Sequence, residues 1–232
     1  MKKVKQNIFE QDLDKRLIDP LVKAAAEERT NRDFESDAQY SARLKEQIHT
    51  SMQDFGRRVQ TGIFLLKESH IWPDNGDTRM RHALKKLAAQ VNTPDETAPV
   101  KTLQQLAELT NEELTSFYTV GLDMYNRKAF EQASCIFLFL TQLNPKIPAF
   151  WSALGAAEEL QEHLQEAAYA YIMGTELEVG SLNSCLRGAN CLIRINKTIE
   201  AKNLLDHALQ QIEKDPSLQK HKQEVELLLK KC

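Results

Sequence analysis

The chain has 232 residues, enough for one large domain or two small ones with a buried core. Its 30 basic and 33 acidic side chains nearly cancel, to a net charge of -3, so no overall field would attract nucleic acid or an anionic membrane. Only eight glycines and seven prolines are present, whereas Ala, Leu, Gln, Glu and Lys are abundant. Such a composition is typical of helical proteins.

We expect neither a membrane span nor a signal peptide in this sequence. Its longest apolar run, CIFLFL at 135–140, is too short to cross a bilayer, and the basic start becomes charged again before an apolar signal core could form. We therefore expect a cytoplasmic protein with no direct membrane insertion. The cysteines agree with this, since none has CxxC spacing. Cys135, Cys185 and Cys191 are expected in the core and Cys232 as an exposed free thiol.

The first hundred residues predict a helical extension. A helix around Leu13 to Ala26 is expected in the opening stretch 1–33. Residues 35–70 predict a long amphipathic helix, because apolar side chains recur mostly three or four positions apart. These side chains are Leu44, Ile48, Met52, Phe55, Val59, Ile63 and Leu66.

A turn and a second helix complete this extension. The segment IWPDNGD at 71–77 predicts the turn and 78–91 the shorter helix. Residues 92–102 contain two prolines and little apolar content, which favours a linker. We interpret 1–100 as an N-terminal region for dimerisation or docking. Pairing of the long helix with a second copy and its docking on the rest of the chain remain alternatives.

A period of 34 residues runs through the remainder of the chain. Small residues in register let antiparallel helices approach closely, and large ones fill the gap to the next pair. The four aligned sets are Phe117, Trp151, Cys185; Gly121, Gly155, Ala189; Ala133, Ala167, Ala201; and Phe137, Tyr171, Leu205. This order, followed by proline, is the tetratricopeptide (TPR) signature.

The period predicts an all-α fold for residues 103–232: a TPR solenoid of three helix-turn-helix repeats. The repeats span about 114–147, 148–181 and 182–215. Residues 216–232 predict a C-terminal capping helix, because one face carries Val225, Leu228 and Leu229 and the others are charged.

No catalytic constellation is recognisable, so we predict a non-enzymatic protein without cofactor or metal. A glycine-rich phosphate loop and a Gly-x-Ser-x-Gly elbow are missing, and no histidine pairs at metal-ligand spacing. The acidic pairs Glu27-Glu28 and Glu158-Glu159 and the basic pair Arg57-Arg58 are expected on solvated helix faces. No nucleic-acid partner is expected.

The surface of the solenoid is then the candidate functional site. The first helix of each repeat, helix A, lines the inner face of such a stack. Phe117, Val120, Gly121 and Met124 should point to helix B, whereas Tyr118, Leu122 and Tyr125 share another face, which would be either a groove or a surface packed beneath the N-terminal region. Repeat two adds Ala149, Ser152, Ala156 and Glu159 on this register, and repeat three adds Asn183, Leu186, Asn190 and Ile193. Such a groove suits an extended peptide.

The segments FYTVGLDMYNRKAFEQASCIFLFLTQLNP and AFWSALGAAEELQEHLQEAAYAY resemble the class II chaperones of type III secretion, the SycD/LcrH family. The resemblance covers residues 105–215 and implies a bacterial cytoplasmic chaperone for hydrophobic translocators. It implies a groove for a Pro-x-Leu-x-x-Pro segment. The positions of the family's groove aromatics fall on Tyr118, Tyr125, Phe130 and Leu122, the last of which is aromatic in some relatives. The long N-terminal region departs from the family's short dimerisation segment and is reminiscent of chlamydial members.

The predicted client-binding residues are therefore Tyr118, Leu122, Tyr125, Phe130, Ser152, Ala156, Glu159, Asn183, Leu186, Asn190 and Ile193. One alternative is a TPR adaptor that clamps the acidic tail of another chaperone. The positions that bind the acidic tail in such clamps correspond here to Tyr118, Leu122, Ala153 and Arg187. Of these, only Arg187 is basic. The other alternative is a scaffold that assembles through its N-terminal helices.

Overall fold

The computed structural model describes residues 18–27, 36–92, 100–177 and 182–232. The predicted start of the first helix at Leu13 lies outside these ranges. The all-α prediction is confirmed: within them the chain forms helices and connecting turns. The α-helices are α1 Asp19–Glu27, α2 Asp37–Glu68, α3 Gly76–Asn92, α4 Leu103–Leu106, α5 Asn111–Asn126, α6 Phe130–Leu143, α7 Pro148–Glu159, α8 Leu164–Leu177, α9 Leu182–Arg194, α10 Thr198–Lys214 and α11 Lys222–Leu229. A 3-10 helix at Pro216–His221 precedes α11.

The chain divides into two compact units, residues 1–57 and 58–232. In the first unit, Lys45 Nζ in α2 lies 2.7 Å from Asp19 Oδ1 in α1, and Val22 is buried. The apolar side of this part of α2 leaves Met52 and Phe55 exposed. None of the helices in the described ranges is both long and apolar enough to cross a membrane.

In the second unit the repeats are three helix pairs: α5 with α6, α7 with α8, and α9 with α10. Successive pairs also pack, α6 on α7 and α8 on α9. The small residues act as predicted, since a Cβ on Gly121 would lie 2.5 Å from the ring of Phe137. A Cβ on Gly155 would lie 2.9 Å from the ring of Tyr171. After the third pair, α11 buries Val225 and Leu228 in its core.

Residues 58–92 pack into the core of the first repeat. Leu66 in α2 and Met80 and Ala83 in α3 are buried in the same hydrophobic cluster as Phe117 and Phe139. The Trp72 ring, in the turn between α2 and α3, stacks at 5.6 Å on Phe117 and lies 5.9 Å from Phe139.

This packing explains why α6 is so apolar, because it is covered on both sides. Every residue of α6 from 133 to 141 is buried. A Cβ on Gly62 would come within 2.5 Å of the carbonyl oxygen of Cys135, so α2 meets the backbone of α6 directly. The sequence places a domain boundary at the linker 92–102, whereas the compact unit of the repeats begins at Arg58.

Candidate peptide-binding surface

The A helices of the three repeats, α5, α7 and α9, lie side by side. The ring of Tyr118 in α5 is 5.7 Å from that of Phe150 in α7. The Oγ atoms of Ser152 in α7 and Ser184 in α9 are 2.8 Å apart and share a hydrogen bond. The three A helices are therefore neighbours in space. We call the eleven predicted client-binding residues the predicted groove.

The aromatic end of the predicted groove combines an exposed side chain with packed rings. Leu122 is 36% exposed. Tyr118 is half-buried and packs at 5.6 Å on Phe137, and burial raises the pKa of its phenol. Tyr125 packs edge-on at 5.4 Å against Phe130. Both tyrosines therefore also contribute to the packing of the first repeat.

The third-repeat end carries two amides. Asn183 is exposed and Asn190 is half-buried, and neither has a hydrogen-bond partner among the described residues. Leu186 is buried in the core of the third repeat, and Ile193 is half-buried against it. Leu186 thus offers little surface to a client, because the same turn of α9 packs on α10. In the middle, Ser152 and Ala156 are small and half-buried.

Glu159 and Arg187 form an ion pair that the sequence analysis missed. Arg187 Nε donates to Glu159 Oε2 at 2.9 Å, and Nη2 lies 2.8 Å from the same oxygen. The Tyr171 hydroxyl also donates to this oxygen, at 2.8 Å. The Arg187 guanidinium also lies 5.1 Å from the centre of the Tyr171 ring. Burial alone would lower the pKa of Arg187, but Tyr171, Glu159 and Tyr125 outweigh it and raise that pKa.

The neighbouring Glu158 is 1% exposed, so the expectation of a solvated acidic pair is wrong. Its carboxylate pairs with Arg58 from α2, and His163 Nδ1 lies 2.8 Å from its other oxygen. Arg58 also donates to Ser134 Oγ at 3.0 Å. The acidic pair forms the last two residues of α7, and no local sequence pattern marks Glu158 as buried. Glu158 holds α2 against the repeats and is not part of the predicted groove.

The expectation for the cysteines is confirmed. Cys135, Cys185 and Cys191 are buried and Cys232 is exposed. Burial raises the pKa of the Cys185 thiol to about 12 and that of Cys191 to about 11. Both therefore stay protonated at neutral pH. Among the described residues no cluster of histidine, cysteine and carboxylate side chains could hold a metal ion.

The fold is similar to those of several solved structures from type III secretion systems. A chain of the CopN-Scc3 complex is 23% identical, with a TM-score of 0.53, and the match covers 63% of this chain and 96% of that one. A chain of a type III secretion complex from Aeromonas hydrophila is 20% identical, with a TM-score of 0.53 and coverage of 63% and 93%.

The translocator chaperone SycD from Yersinia enterocolitica is 22% identical, with a TM-score of 0.50, and the match covers 58% of this chain and 100% of SycD. No family model and no curated protein matches the sequence. At these identities the likeness establishes the fold. The chain has the TPR-like fold of the class II type III secretion chaperones, over nearly the whole length of those proteins.

Proposed function

We propose that this protein is a non-enzymatic chaperone for type III secretion, which binds hydrophobic translocator proteins in the bacterial cytoplasm. An extended client segment of the Pro-x-Leu-x-x-Pro type would lie in the predicted groove. Binding would lower the concentration of free client and so slow its aggregation. The likeness of the fold to SycD, a translocator chaperone, supports this proposal.

One observation supports a client-binding site on the surface of the repeats. Leu122 remains 36% exposed although Tyr118 and Tyr125, one turn away on either side, are both packed. An apolar side chain between two aromatic rings fits a leucine of an extended segment. The unpartnered amides of Asn183 and Asn190 would bond the main chain of that segment.

The geometry disfavours the acidic-tail clamp. Such a clamp needs free cations on its A helices, and Arg187 is already ion-paired and hydrogen-bonded to Glu159. The scaffold alternative relies on the first unit, where Met52 and Phe55 of α2 are exposed. Dimerisation through these N-terminal helices is compatible with a chaperone and stays a prediction.

The test is co-expression with the hydrophobic translocators of the protein's own secretion system. The Leu122→Glu variant should lose client binding by tenfold or more, because a carboxylate would be desolvated without a partner, at roughly 1–3 kcal/mol. The matched control is Leu227→Glu, the same change at a 59% exposed leucine of α11. Soluble client is measured in both. Equal amounts of soluble client with the two variants would show that the client does not bind in the predicted groove.

A further inference from the structure

The ion pair between Glu159 and Arg187 lies where an extended segment would cross from repeat two to repeat three. Glu159 is the last predicted-groove residue of α7, and Arg187 follows the predicted-groove residue Leu186 in α9. Their side chains are 17% and 33% exposed. A ligand on this surface would therefore meet both.

The pair is only partly satisfied. The hydrogen bond from Arg187 Nε and the 2.8 Å contact of Nη2 both reach one carboxylate oxygen, Oε2, which also accepts from the Tyr171 hydroxyl. Among the described residues, Glu159 Oε1 and Arg187 Nη1 have no hydrogen-bond partner. Oε1 can therefore still accept a hydrogen bond from a bound segment, and Nη1 can still donate one.

The ion pair of Glu159 and Arg187 carries no net charge, and this affects which ligands it can bind. Arg187 alone would be a cation stacked on Tyr171 and facing the predicted groove. Such a guanidinium recognises carboxylates strongly, through paired N–H donors. Glu159 occupies those donors and cancels the charge. The surface then presents hydrogen-bonding groups but no net charge.

We propose that Glu159 sets the charge selectivity of the predicted groove: by neutralising Arg187, it admits neutral extended segments and excludes acidic ones. This inference rests on the proposed function, because it assumes that an extended segment binds there. It explains why a groove that contains an arginine would bind an apolar client segment and not the acidic tail of a general chaperone.

The test uses the full chain and three short synthetic peptides, capped at both ends. One is neutral, of the Pro-x-Leu-x-x-Pro type with serine at the variable positions. The others carry glutamate or lysine in place of those serines. Dissociation constants are measured at low and high salt for the parent protein, Glu159→Gln and Arg187→Gln.

Glu159→Gln should shift the preference toward the glutamate peptide by about tenfold, because an uncompensated guanidinium gains a charge-assisted partner. Salt should weaken that preference by screening. Arg187→Gln should shift the preference toward the lysine peptide, and the double variant should return to the selectivity of the parent. The two single variants test the proposal independently, so a folding defect in one leaves the other decisive.

The matched control is Glu162→Gln. Glu162 also pairs with an arginine, Arg194, and the substitution changes the net charge by the same amount, but it lies in the turn between α7 and α8. It should leave the ratio of dissociation constants unchanged. Equal shifts for Glu159→Gln and Glu162→Gln, or no shift for either single variant, would overturn the proposal.

Failure of the proposed function gives a different result. If the parent binds none of the peptides, the peptide-binding function is wrong. The role of Glu159 in charge selectivity is then tested with the glutamate peptide alone. Binding of that peptide to Glu159→Gln, and not to the double variant, upholds the role of Glu159, whereas no binding to either rejects it.

Discussion

Arg79 joins α3 to the turn that opens the first repeat. Its Nη1 and Nη2 donate to Glu113 Oε1 and Oε2 at 2.9 Å and 3.1 Å, and its Nε donates to the Ala107 carbonyl oxygen at 2.9 Å. Glu113 also accepts from the Thr110 N–H at 2.7 Å and so closes a capping box at the start of α5. One carboxylate thereby supports both a helix terminus and the contact with α3.

This geometry predicts a pH dependence of stability. The hydrogen bond from Arg79, with that from Thr110, lowers the pKa of Glu113 below its ordinary value of 4.5. A lowered pKa stabilises the fold above the unfolded-state value, and this contribution is lost as the pH falls from about 4.5 through the lower folded-state pKa. Glu113→Gln should therefore cost about 1 kcal/mol at pH 7, at the screened end of the range for charged hydrogen bonds. The deficit should shrink below pH 4.5.

Urea unfolding at several pH values measures this difference. Glu131→Gln is the control, because Glu131 lies exposed in the first turn of α6. Its stability should follow that of the parent protein at every pH. A Glu113→Gln deficit that stayed constant down to pH 3 would show that the ion pair with Arg79 contributes nothing through its charge.

The burial of Tyr118 and Glu158 shows what sequence patterns do not predict. The aromatic spacing in α5 correctly separated Phe117 from Tyr118, but periodicity assigns only a helix face and not the depth of burial. Tyr118 is half-buried because Phe137 and Phe150 reach it from two other helices. Glu158 looked solvated because its partner Arg58 is a hundred positions away in the sequence. Long-range pairs of this kind leave no local pattern.

At the scale of elements, the 34-residue period predicted the helix pairs well, because each pair has its own small and large residues. It did not reveal the turns. Lys128, Glu162 and Asn196 are 34 positions apart and all have φ near +60°, between helix A and helix B. Glycine is the usual marker of this left-handed conformation, and none of the three is glycine. The turns are specified by the helices that they connect.

The contact of α2 with α6 yields a second prediction, from two glycines in one helix. A Cβ on Gly62 would lie 2.5 Å from the Cys135 carbonyl oxygen and 3.2 Å from Phe139 Cβ, so Gly62→Ala must push the helices apart. Overpacking of this kind typically costs about 1–3 kcal/mol. Gly56 has no such neighbour within 4 Å, and Gly56→Ala should stabilise the helix by about 0.5–1 kcal/mol.

Thermal and urea unfolding of the two variants should therefore move in opposite directions. Gly56→Ala serves as the matched control, because it makes the same chemical change in the interior of the same helix. Changes of the same sign would mean that α2 does not approach α6 as closely as the positions of Gly62 and Cys135 require.

At the scale of the whole molecule, the sequence separates the first hundred residues from the repeats by their composition. The structure shows why composition is a poor guide here. Residues 58–92 lack the 34-residue signature, yet Leu66, Met80 and Ala83 belong to the core of the first repeat. They complete the burial of α6, in which every residue from 133 to 141 is buried.

Two N-terminal deletions test whether residues 58–92 belong to the core of the repeats. Removal of residues 1–50 retains Arg58 and two turns of α2 before it, so residues 58–232 should stay folded with a melting temperature close to that of the intact chain. Removal of residues 1–92 should lower it by roughly 10 °C or more, because several buried apolar side chains contribute about 1.5–3 kcal/mol each. That deletion also strips Arg58 from the buried carboxylate of Glu158.

Circular dichroism melts and size-exclusion chromatography of both deletions provide the measurement, and binding of the neutral peptide reports on the predicted groove. The shorter deletion is the control for loss of the N-terminus as such. Replacing Glu158 by Gln in the longer deletion should recover part of the lost stability, since it removes a buried charge that has lost its arginine. If both deletions melted at the same temperature, residues 58–92 would be an appendage of the repeats and not part of their core.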